Sequence, residues 1–381
     1  MSAGAKACLT RLVVRDFRNF AHVELSPPPE GLVVVGDNGQ GKTNLLESIY
    51  YLEILRSVRG ARDQDLIRFG ADAFHIGATV DTDRCHEIGV GFERAGKRKR
   101  VRLDGDVPER LSDALGALPS VMFSPADVEL IAGAPAARRR YLDIMLALTA
   151  RGYLAALQRY RAALSRRNAA LREAARTGRT TASSIAVWEP PLAESGATLI
   201  RERRRWVDET NETFAELCRD IGESASVRIQ YASGIEPADD LTSALAAALE
   251  QKRGLDLRRG LTHAGPHRDD LVISLSGSDE TPRELRVFGS AGQQRSAAIA
   301  LRMLEAATFT KRTGRSPLFL LDDPFAELDA RRSANVLRLL VREGLGQTFL
   351  VVPRETDIPA DFSELDRLRV AAGTFARFTS S

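Results

Sequence analysis

The segment GDNGQGKT, residues 36–43, fits the phosphate-binding pattern G-x-x-x-x-G-K-[ST]. It follows an apolar run and precedes a stretch with helical spacing, which is the strand, loop and helix context that this pattern requires. In such a loop the backbone N–H groups surround phosphates at a helix N-terminus, Lys42 reaches the β- and γ-phosphates, and the Thr43 hydroxyl ligates Mg²⁺. The segment predicts a nucleoside triphosphate site. Its predicted nucleotide-binding residues are Gly36, Asp37, Asn38, Gly39, Gln40, Gly41, Lys42 and Thr43.

A second motif supplies the acidic groups that phosphoryl transfer needs. The apolar run SPLFLLDD, residues 316–323, ends in Asp322 and Asp323. We expect Asp322 to hold Mg²⁺ together with Thr43, and Asp323 to orient the attacking water. Lys42, Asp322 and Asp323 are therefore predicted catalytic residues, and Thr43 and Asp322 are the predicted metal ligands.

A third motif, SAGQQRS at residues 290–296, opens another predicted helix just before the acidic strand. The order of phosphate loop, long insertion, signature and acidic strand resembles that of ATP-binding-cassette heads. In those heads a Ser-x-Gly-Gln signature from one subunit meets the γ-phosphate held by the other. Ser290 is accordingly a predicted catalytic residue, and Ser290, Gly292 and Gln293 are predicted to contact nucleotide across a dimer.

The elements around these motifs predict an α/β protein with an inserted helical lobe. Strand patterns cover TRLVVRDF, GLVVVG, FHIGATV, VRIQY, DLVISL and QTFLVV. Alternation over residues 85–105 predicts a β-hairpin with basic residues at its tip and return strand.

Two helical stretches in the middle of the chain predict a short antiparallel, coiled-coil-like arm of roughly 40 residues per helix. TGRTTASS, residues 177–184, predicts the turn between them. The heptad positions are Leu157, Tyr160, Leu164 and Leu171 in the first helix, and Ile200, Val207, Phe214 and Ile221 in the second. The predicted domains are residues 1–125 as the N-terminal part of an ATPase head, 126–225 as the inserted lobe, and 226–381 as the C-terminal part of the head.

Composition excludes few classes of protein. The 381 residues are 44% hydrophobic and 28% charged, as in ordinary globular proteins, and no apolar run approaches the roughly 20 residues of a membrane span. The start lacks an apolar signal segment, so we predict a cytoplasmic protein without a membrane partner. A net charge of +3 does not demand nucleic acid. Arginine outnumbers lysine 48 to six, which suits phosphate contacts and is also typical of a GC-rich genome.

Several segments together resemble the RecF recombination-repair family, a relative of the SMC-type ATPases. They include LVVRDFRNF, GDNGQGKTNLLESIYYL, SVRGARDQDLIRFGAD, VMFSPADVELIAGAPAARRRYLD, GPHRDDL, SAGQQRS and LLDDPFAELD. The resemblance implies an ABC- or SMC-type P-loop ATPase head that uses ATP and Mg²⁺. We expect slow ATP hydrolysis, because Asp323 stands where cassette motors usually carry the longer glutamate. It implies an ATP-dependent homodimer on double-stranded DNA and at junctions of single- and double-stranded DNA. It also implies cooperation with RecR and RecO in loading RecA at gaps.

The resemblance places Arg18 beside the nucleotide, but the chain departs from related heads at several positions. Pro125 stands where the Mg²⁺-side glutamine is usual, Ala326 where serine is usual, and Pro353 where threonine is expected. No histidine follows His267, so the switch histidine of transporter cassettes is missing. These departures leave the γ-phosphate sensor unidentified.

Two alternatives to a DNA-binding ATPase are the motor subunit of a membrane transporter and a small SMC-like tether. The missing switch histidine argues against the first, and an arm of only about 60 Å argues against the second. HAGPHRDD, residues 263–270, is interpreted as structural or as part of the ATP interface rather than as a metal site. Three basic clusters are candidate DNA contacts: Lys97, Arg98, Lys99 and Arg100; Arg138, Arg139 and Arg140; and Arg201, Arg203, Arg204 and Arg205.

Overall fold

The computed structural model describes residues 5–177, 182–276, 281–326, 328–342 and 346–377. Contacts divide the chain into two compact units. Residues 1–127, 220–222 and 299–381 form the sheet unit, and residues 128–219 and 223–298 form the helical unit. Of the predicted turn at residues 177–184, residues 178–181 lie outside the described ranges.

The strands and helices are numbered in chain order. The strands are β1 Ala5–Lys6, β2 Cys8–Phe17, β3 Phe20–Leu25, β4 Gly31–Val35, β5 Ala73–Asp81, β6 Glu87–Glu93, β7 Arg98–Leu103, β8 Ser120–Phe123, β9 Ser226–Ala232, β10 Asp270–Ser276, β11 Arg283–Glu284, β12 Arg315–Ser316, β13 Leu318–Asp322, β14 Thr348–Val352, β15 Asp366–Ala371 and β16 Thr374–Arg377. The helices are α1 Lys42–Ile54, α2 Glu129–Ala132, α3 Pro135–Thr149, α4 Tyr153–Thr177, α5 Ala182–Ala186, α6 Glu189–Ile221, α7 Leu241–Arg259, α8 Leu285–Phe288, α9 Ala291–Thr313 and α10 Ala330–Arg342.

The main sheet of the sheet unit has the strand order β16-β15-β4-β14-β13-β8, and every neighbouring pair is parallel except β15 and β16. Strands β4, β13 and β14 are buried along their whole length, as continuous apolar runs in a covered parallel sheet should be. Strand β14 lies between β4 and β13, pairing Val352 with Val35 and Val351 with Asp322. The phosphate loop and the acidic strand end therefore meet at one edge of the sheet, about 10 Å apart by strand spacing.

A second, antiparallel sheet has the order β3-β2-β5-β6-β7 and confirms the predicted hairpin as β6 and β7. Its inner face is apolar because alternate residues of each strand point to one side. Phe17, Tyr51 and Phe74 pack there edge to face, with ring centroids 5.3 to 6.2 Å apart. This contact joins helix α1, and so the phosphate loop, to the antiparallel sheet.

Helices α4 and α6 run antiparallel, as predicted. Tyr153 accepts a hydrogen bond from Arg203 at one end of the pair (2.9 Å), and Arg167 donates to Glu189 at the other (2.9 Å). The helices have 25 and 33 residues, shorter than predicted, because α3 and α4 are separate helices divided at Gly152, whose φ is +80°. Helix α7 also packs against α4, so the pair belongs to a bundle.

The helical unit extends beyond the predicted lobe boundary at residue 225 and continues to Ala298. The reason is that β9 and β10 pair along seven residues, while Arg138 on α3 binds the Asp270 carboxylate on β10 through two contacts of 2.8 Å. The assignment of residues 1–125 and 226–381 to an ATPase head, and of residues 126–225 to an inserted lobe, stays a prediction.

Two of the three basic clusters contain arginines that hold the helical unit together. Arg138 is only 3% exposed and Arg203 only 2%. Arg203 donates to Asp143 (2.8 Å), to the Tyr153 hydroxyl and to the Pro266 carbonyl. These interactions exclude Arg138 and Arg203 as phosphate contacts, because a buried guanidinium bound to carboxylates is not available to DNA.

We expect Arg203→Ala to lower the free energy of unfolding by about 3 kcal/mol, because it leaves the Asp143 carboxylate buried with part of its pairing lost. Urea denaturation followed by circular dichroism measures this change. Arg201→Ala is the matched control on the same helix, since Arg201 is exposed and a surface change of this kind stays within about 0.5 kcal/mol. Equal denaturation midpoints for the two variants would contradict the structural role of Arg203.

Candidate nucleotide-binding site

The phosphate loop connects the end of β4 to the first residue of α1, Lys42. Gly41 has φ of +116°, and a Cβ there would lie 2.8 Å from the Asn19 and Phe20 side chains. A Cβ at Gly36 would lie 2.5 Å from the Val370 carbonyl oxygen. Both positions therefore require glycine, Gly41 for its left-handed backbone and Gly36 for close approach.

Two turns that the sequence did not indicate hold the tip of this loop. The Asn19 side-chain amide donates to the Gln40 carbonyl (3.1 Å) and accepts from Asn44 (2.8 Å). From the turn between β15 and β16, the Ala372 N–H donates to the Gln40 side chain (2.6 Å) and the Gly373 N–H to its carbonyl (3.0 Å). The conformation of the loop is thus fixed by segments from both ends of the chain.

Lys42 lies in an acidic and largely enclosed place. Its ammonium donates to the carbonyls of Asp37 (2.9 Å) and Gly36, and the residue is only 7% exposed. Burial lowers the pKa of Lys42, while the charges of Asp322, Asp323 and Asp37 oppose that shift. The structure therefore brings together three of the four predicted catalytic residues.

Asp322 and Thr43 form the predicted metal-binding pair. Asp322 is 8% exposed, and burial raises the pKa of its carboxyl. A hydrogen bond from the Thr43 hydroxyl and the charge of Arg59 oppose this shift, while the charge of Asp323 adds to it. A hydroxyl beside a carboxylate is a hard oxygen donor set that suits Mg²⁺, so the residues present fit the expected metal.

Asp323 has a left-handed backbone, with φ of +45°. Aspartate and asparagine tolerate this conformation better than most residues. The Asp323 N–H still donates to the Val351 carbonyl (3.0 Å), but Asp323 is no longer part of β13. The chain therefore leaves the sheet between two consecutive carboxylates, which gives them different surroundings.

Arg18 was predicted to lie beside the nucleotide, and its guanidinium binds the buried Glu47 carboxylate on α1 through two contacts of 3.1 Å. The Ser57 hydroxyl donates to the same carboxylate (2.6 Å), and the Arg59 guanidinium is 4.0 Å from it. Arg59 is a site residue that the sequence reasoning did not single out. The segment SVRG, which carries the family resemblance, was the signal that contained it.

The signature residues cap the first turn of α9 in the helical unit. The Ser290 N–H donates to the Gln293 side chain (3.0 Å), and the Gln293 N–H donates to the Ser290 hydroxyl (3.2 Å). This reciprocal pair is a capping box, and Ser290 is exposed. Gly292 is the second residue of the helix. An exposed helix N-terminus of this kind favours an anion.

The segment at Pro125, where related heads carry glutamine, is a short 3-10 turn fixed by buried ion pairs. Asp127 accepts from the Ser124 N–H (2.8 Å) and from Arg302 (2.6 Å), and Arg302 also binds Glu305 (2.7 Å). The γ-phosphate sensor therefore stays unidentified.

The four side chains of HAGPHRDD that could ligate a metal have separate partners. His263 contacts Asp256 (2.7 Å), His267 contacts the Tyr160 hydroxyl (2.6 Å), Asp269 accepts from Ser233 (3.0 Å), and Asp270 binds Arg138. Within the described ranges, no group of three or more such side chains is placed to hold a metal ion.

The fold and the site define an ATP-binding head of the ABC and SMC type. Its main sheet carries the phosphate loop and the acidic end of β13 at one edge, an antiparallel sheet lies beside α1, and the helices form a separate unit. The pattern of the RecF/RecN/SMC N terminal domain matches residues 8–372. The chain belongs to the RecF family. It is 35% identical to the DNA replication and repair protein RecF of Herpetosiphon aurantiacus, over 96% of this chain and 98% of that one. It is 36% identical to RecF of Citrifermentans bemidjiense, covering 93% and 95%.

Solved structures agree with this assignment. The recombination mediator protein RecF-ATPrS of the RecFOR pathway superposes with a TM-score of 0.88 at 27% identity, covering the whole of both chains. The Smc head domain of Pyrococcus furiosus, bound to the C-terminal domain of ScpA, shares the fold, with a TM-score of 0.56 at 16% identity over 98% of this chain and 96% of that one. Among the described helices, none has the length and apolar character needed to cross a bilayer.

Proposed function

We propose that this protein is an ATP-hydrolysing, DNA-binding switch of replication and recombinational repair. The main support is the meeting of Lys42, Thr43, Asp322 and Asp323 at one edge of the parallel sheet. Relatives named for DNA replication and repair support this role, and a RecF-ATP structure with a TM-score of 0.88 supports ATP as the nucleotide. No observation favours a transporter subunit or a structural tether.

In the proposed mechanism each residue has one task. The loop at residues 36–43 binds the phosphates, and Lys42 neutralises charge at the β- and γ-phosphates. Thr43 and Asp322 would hold Mg²⁺, which would offset the negative charge that develops on the phosphates during hydrolysis. Asp323 orients the attacking water and accepts its proton. Arg18 and Arg59 lie beside the Glu47 carboxylate and help to hold helix α1, which follows the phosphate loop.

Completion of the site would require a second copy of the chain. Ser290, Gly292 and Gln293 lie at an exposed helix N-terminus, and we propose that they contact the γ-phosphate bound by the partner subunit. ATP would then close a homodimer on double-stranded DNA and at junctions with single-stranded DNA. We further propose that this dimer acts with RecR and RecO in loading RecA, in the cytoplasm where chromosomal DNA lies.

We expect light scattering to show a monomer without nucleotide and a dimer with ATP and a DNA duplex. Ser290→Arg should bind ATP normally yet stay monomeric, because a long side chain at the contact obstructs closure, at a cost of about 1 to 3 kcal/mol or more. Since Ser290 is exposed, the substitution leaves the core unchanged.

The matched control is Ser290→Thr, which keeps the capping hydroxyl and adds only a methyl group. It should dimerise at nearly the wild-type ATP concentration. A Ser290→Arg variant that dimerises with ATP as the wild type does would refute the contact across the dimer.

A further inference from the structure

The outer face of the antiparallel sheet contains a trough with a volume of about 380 Å³. Strand register places Arg15, His75, Gly91 and Arg100 side by side across four strands. The next row across the same strands is Val13, Gly77, Gly89 and Arg102. Arginines therefore stand on both outer strands, and glycines and one histidine form the floor.

The floor is open because its glycines leave room for the His75 ring. A Cβ at Gly77 would lie 3.0 Å from the His75 Nε2 atom, one at Gly89 3.6 Å from its Cε1, and one at Gly91 3.9 Å from its Nδ1. The imidazole thus lies over the three glycines, while His75 remains exposed on its outer side. Burial and the neighbouring Arg15 charge lower the pKa of His75, which favours the neutral ring.

Arg15 and Arg102 line the trough, and Arg100 lies opposite Gly91 in the neighbouring row. Across the residues that the structure describes, Arg15, Arg100 and Arg102 have no hydrogen-bond or ion-pair partner. Arg11, at one end of the trough, binds Glu24 (2.7 Å), and Glu87 lines that same end. On β3, Glu24 lies beside Val13 in the row that contains Gly89, and it is paired with Arg11. The row of His22, Arg15, His75, Gly91 and Arg100 carries no acidic side chain, so an anion is favoured near His75.

Successive residues of β7 point to opposite faces of the sheet, so the predicted basic cluster at residues 97–100 is divided between the two faces. Lys99 points to the inner face, where its ammonium binds Asp63 (2.8 Å) and the Leu55 carbonyl (2.6 Å). Arg98, Arg100 and Arg102 alternate with it on the outer face, about 6.7 Å apart along the strand.

We propose that this trough binds an unpaired strand of nucleic acid, with a base stacked on His75 and phosphates held by Arg15, Arg100 and Arg102. A charged groove combined with a ring on which bases stack is the usual means of holding single strands. A duplex hides the faces of its bases except at its two ends, so away from those ends the His75 ring can stack only on an unpaired base. The proposal rests on the DNA-binding function above and gives it a means of recognising junctions.

Fluorescence anisotropy with ATP, on a duplex that carries a single-stranded tail and on a blunt duplex of equal length, tests the proposal. We expect His75→Ala to weaken binding to the tailed DNA by about five- to a hundredfold and to leave the blunt duplex unchanged. His75→Phe should restore tail binding, because it keeps a ring. Arg15→Ala with Arg102→Ala should lower the salt dependence on tailed DNA by about two, expressed as the slope of log affinity against log salt.

Two controls separate charge and fold from the proposed contact. Gly89→Glu should abolish the preference for the tail, whereas Gly89→Gln, of the same size without the charge, should weaken it less. Arg258→Ala with Arg259→Ala removes two exposed charges from α7 and should change neither DNA.

The outcomes distinguish this inference from the proposed function. If the wild type binds the blunt duplex and the His75 and arginine variants bind tailed DNA equally well, the trough is not the site, and the DNA-binding function stands. A wild type that binds neither DNA overturns both. If inorganic tripolyphosphate displaces the tail no better from the wild type than from the arginine variant, the trough does not bind phosphates. An equal loss on both DNAs for His75→Ala would mark that ring as structural and overturn the stacking contact.

Discussion

Replacing Lys42 with alanine is expected to weaken ATP binding by on the order of a hundredfold to a thousandfold, the usual effect of removing one partner of an enclosed charge pair. The ammonium donates to two carbonyls of the loop and lies within the field of Asp322 and Asp323. Without it, triphosphate would enter a site whose nearby fixed charges are mainly acidic. Isothermal titration with ATP and Mg²⁺ measures the loss.

The fold should remain intact in this variant. Burial lowers the pKa of Lys42, which means that the charged side chain is less favourable in the folded protein than in water. We therefore expect the fold to tolerate its removal, and circular dichroism should match the wild type. Lys311→Ala, an exposed lysine near the end of α9, is the matched control and should bind ATP normally. Wild-type ATP affinity in Lys42→Ala would refute the assignment of the phosphate loop.

Asp323→Asn is expected to lower the rate of ATP hydrolysis by about 10²- to 10⁴-fold, the range for loss of a general base, with ATP affinity nearly unchanged. Asparagine also tolerates the left-handed backbone at this position, so the change removes a charge without adding strain. The ATP-bound dimer should consequently persist longer. Single-turnover hydrolysis and light scattering over time measure the two effects.

The wild-type rate should itself be slow. Cassette motors usually place glutamate where this chain has Asp323, and one fewer methylene withdraws the carboxylate by about 1.5 Å. A misplacement of about 1 Å can cost on the order of a hundredfold in rate. Asp240→Asn, the same chemical change at the exposed N-cap of α7, should hydrolyse ATP at the wild-type rate. Rapid turnover in the wild type, or in Asp323→Asn, would contradict the role of Asp323 as a timer.

The sequence alone determined the parts of the site whose chemistry is local. One short segment specifies the left-handed Gly41 together with Lys42 and Thr43 at the start of α1. A second specifies an apolar strand that ends at Asp322 and is followed by Asp323. For the same reason, the strands and the antiparallel helix pair were predicted from periodicity. The sequence could not show that β14 lies between β4 and β13, because strand order depends on pairing among distant segments.

The tertiary structure alone decided the roles of the basic residues. Arg138 and Arg203 looked the same in sequence as the exposed Arg201, yet their partners Asp270 and Asp143 are 132 and 60 positions away. Within one strand, Lys99 is bound to Asp63 on the inner face while Arg100 is exposed on the outer one. An arginine can be buried only where a carboxylate from elsewhere in the chain compensates its charge, and that meeting is fixed by packing rather than by neighbouring residues.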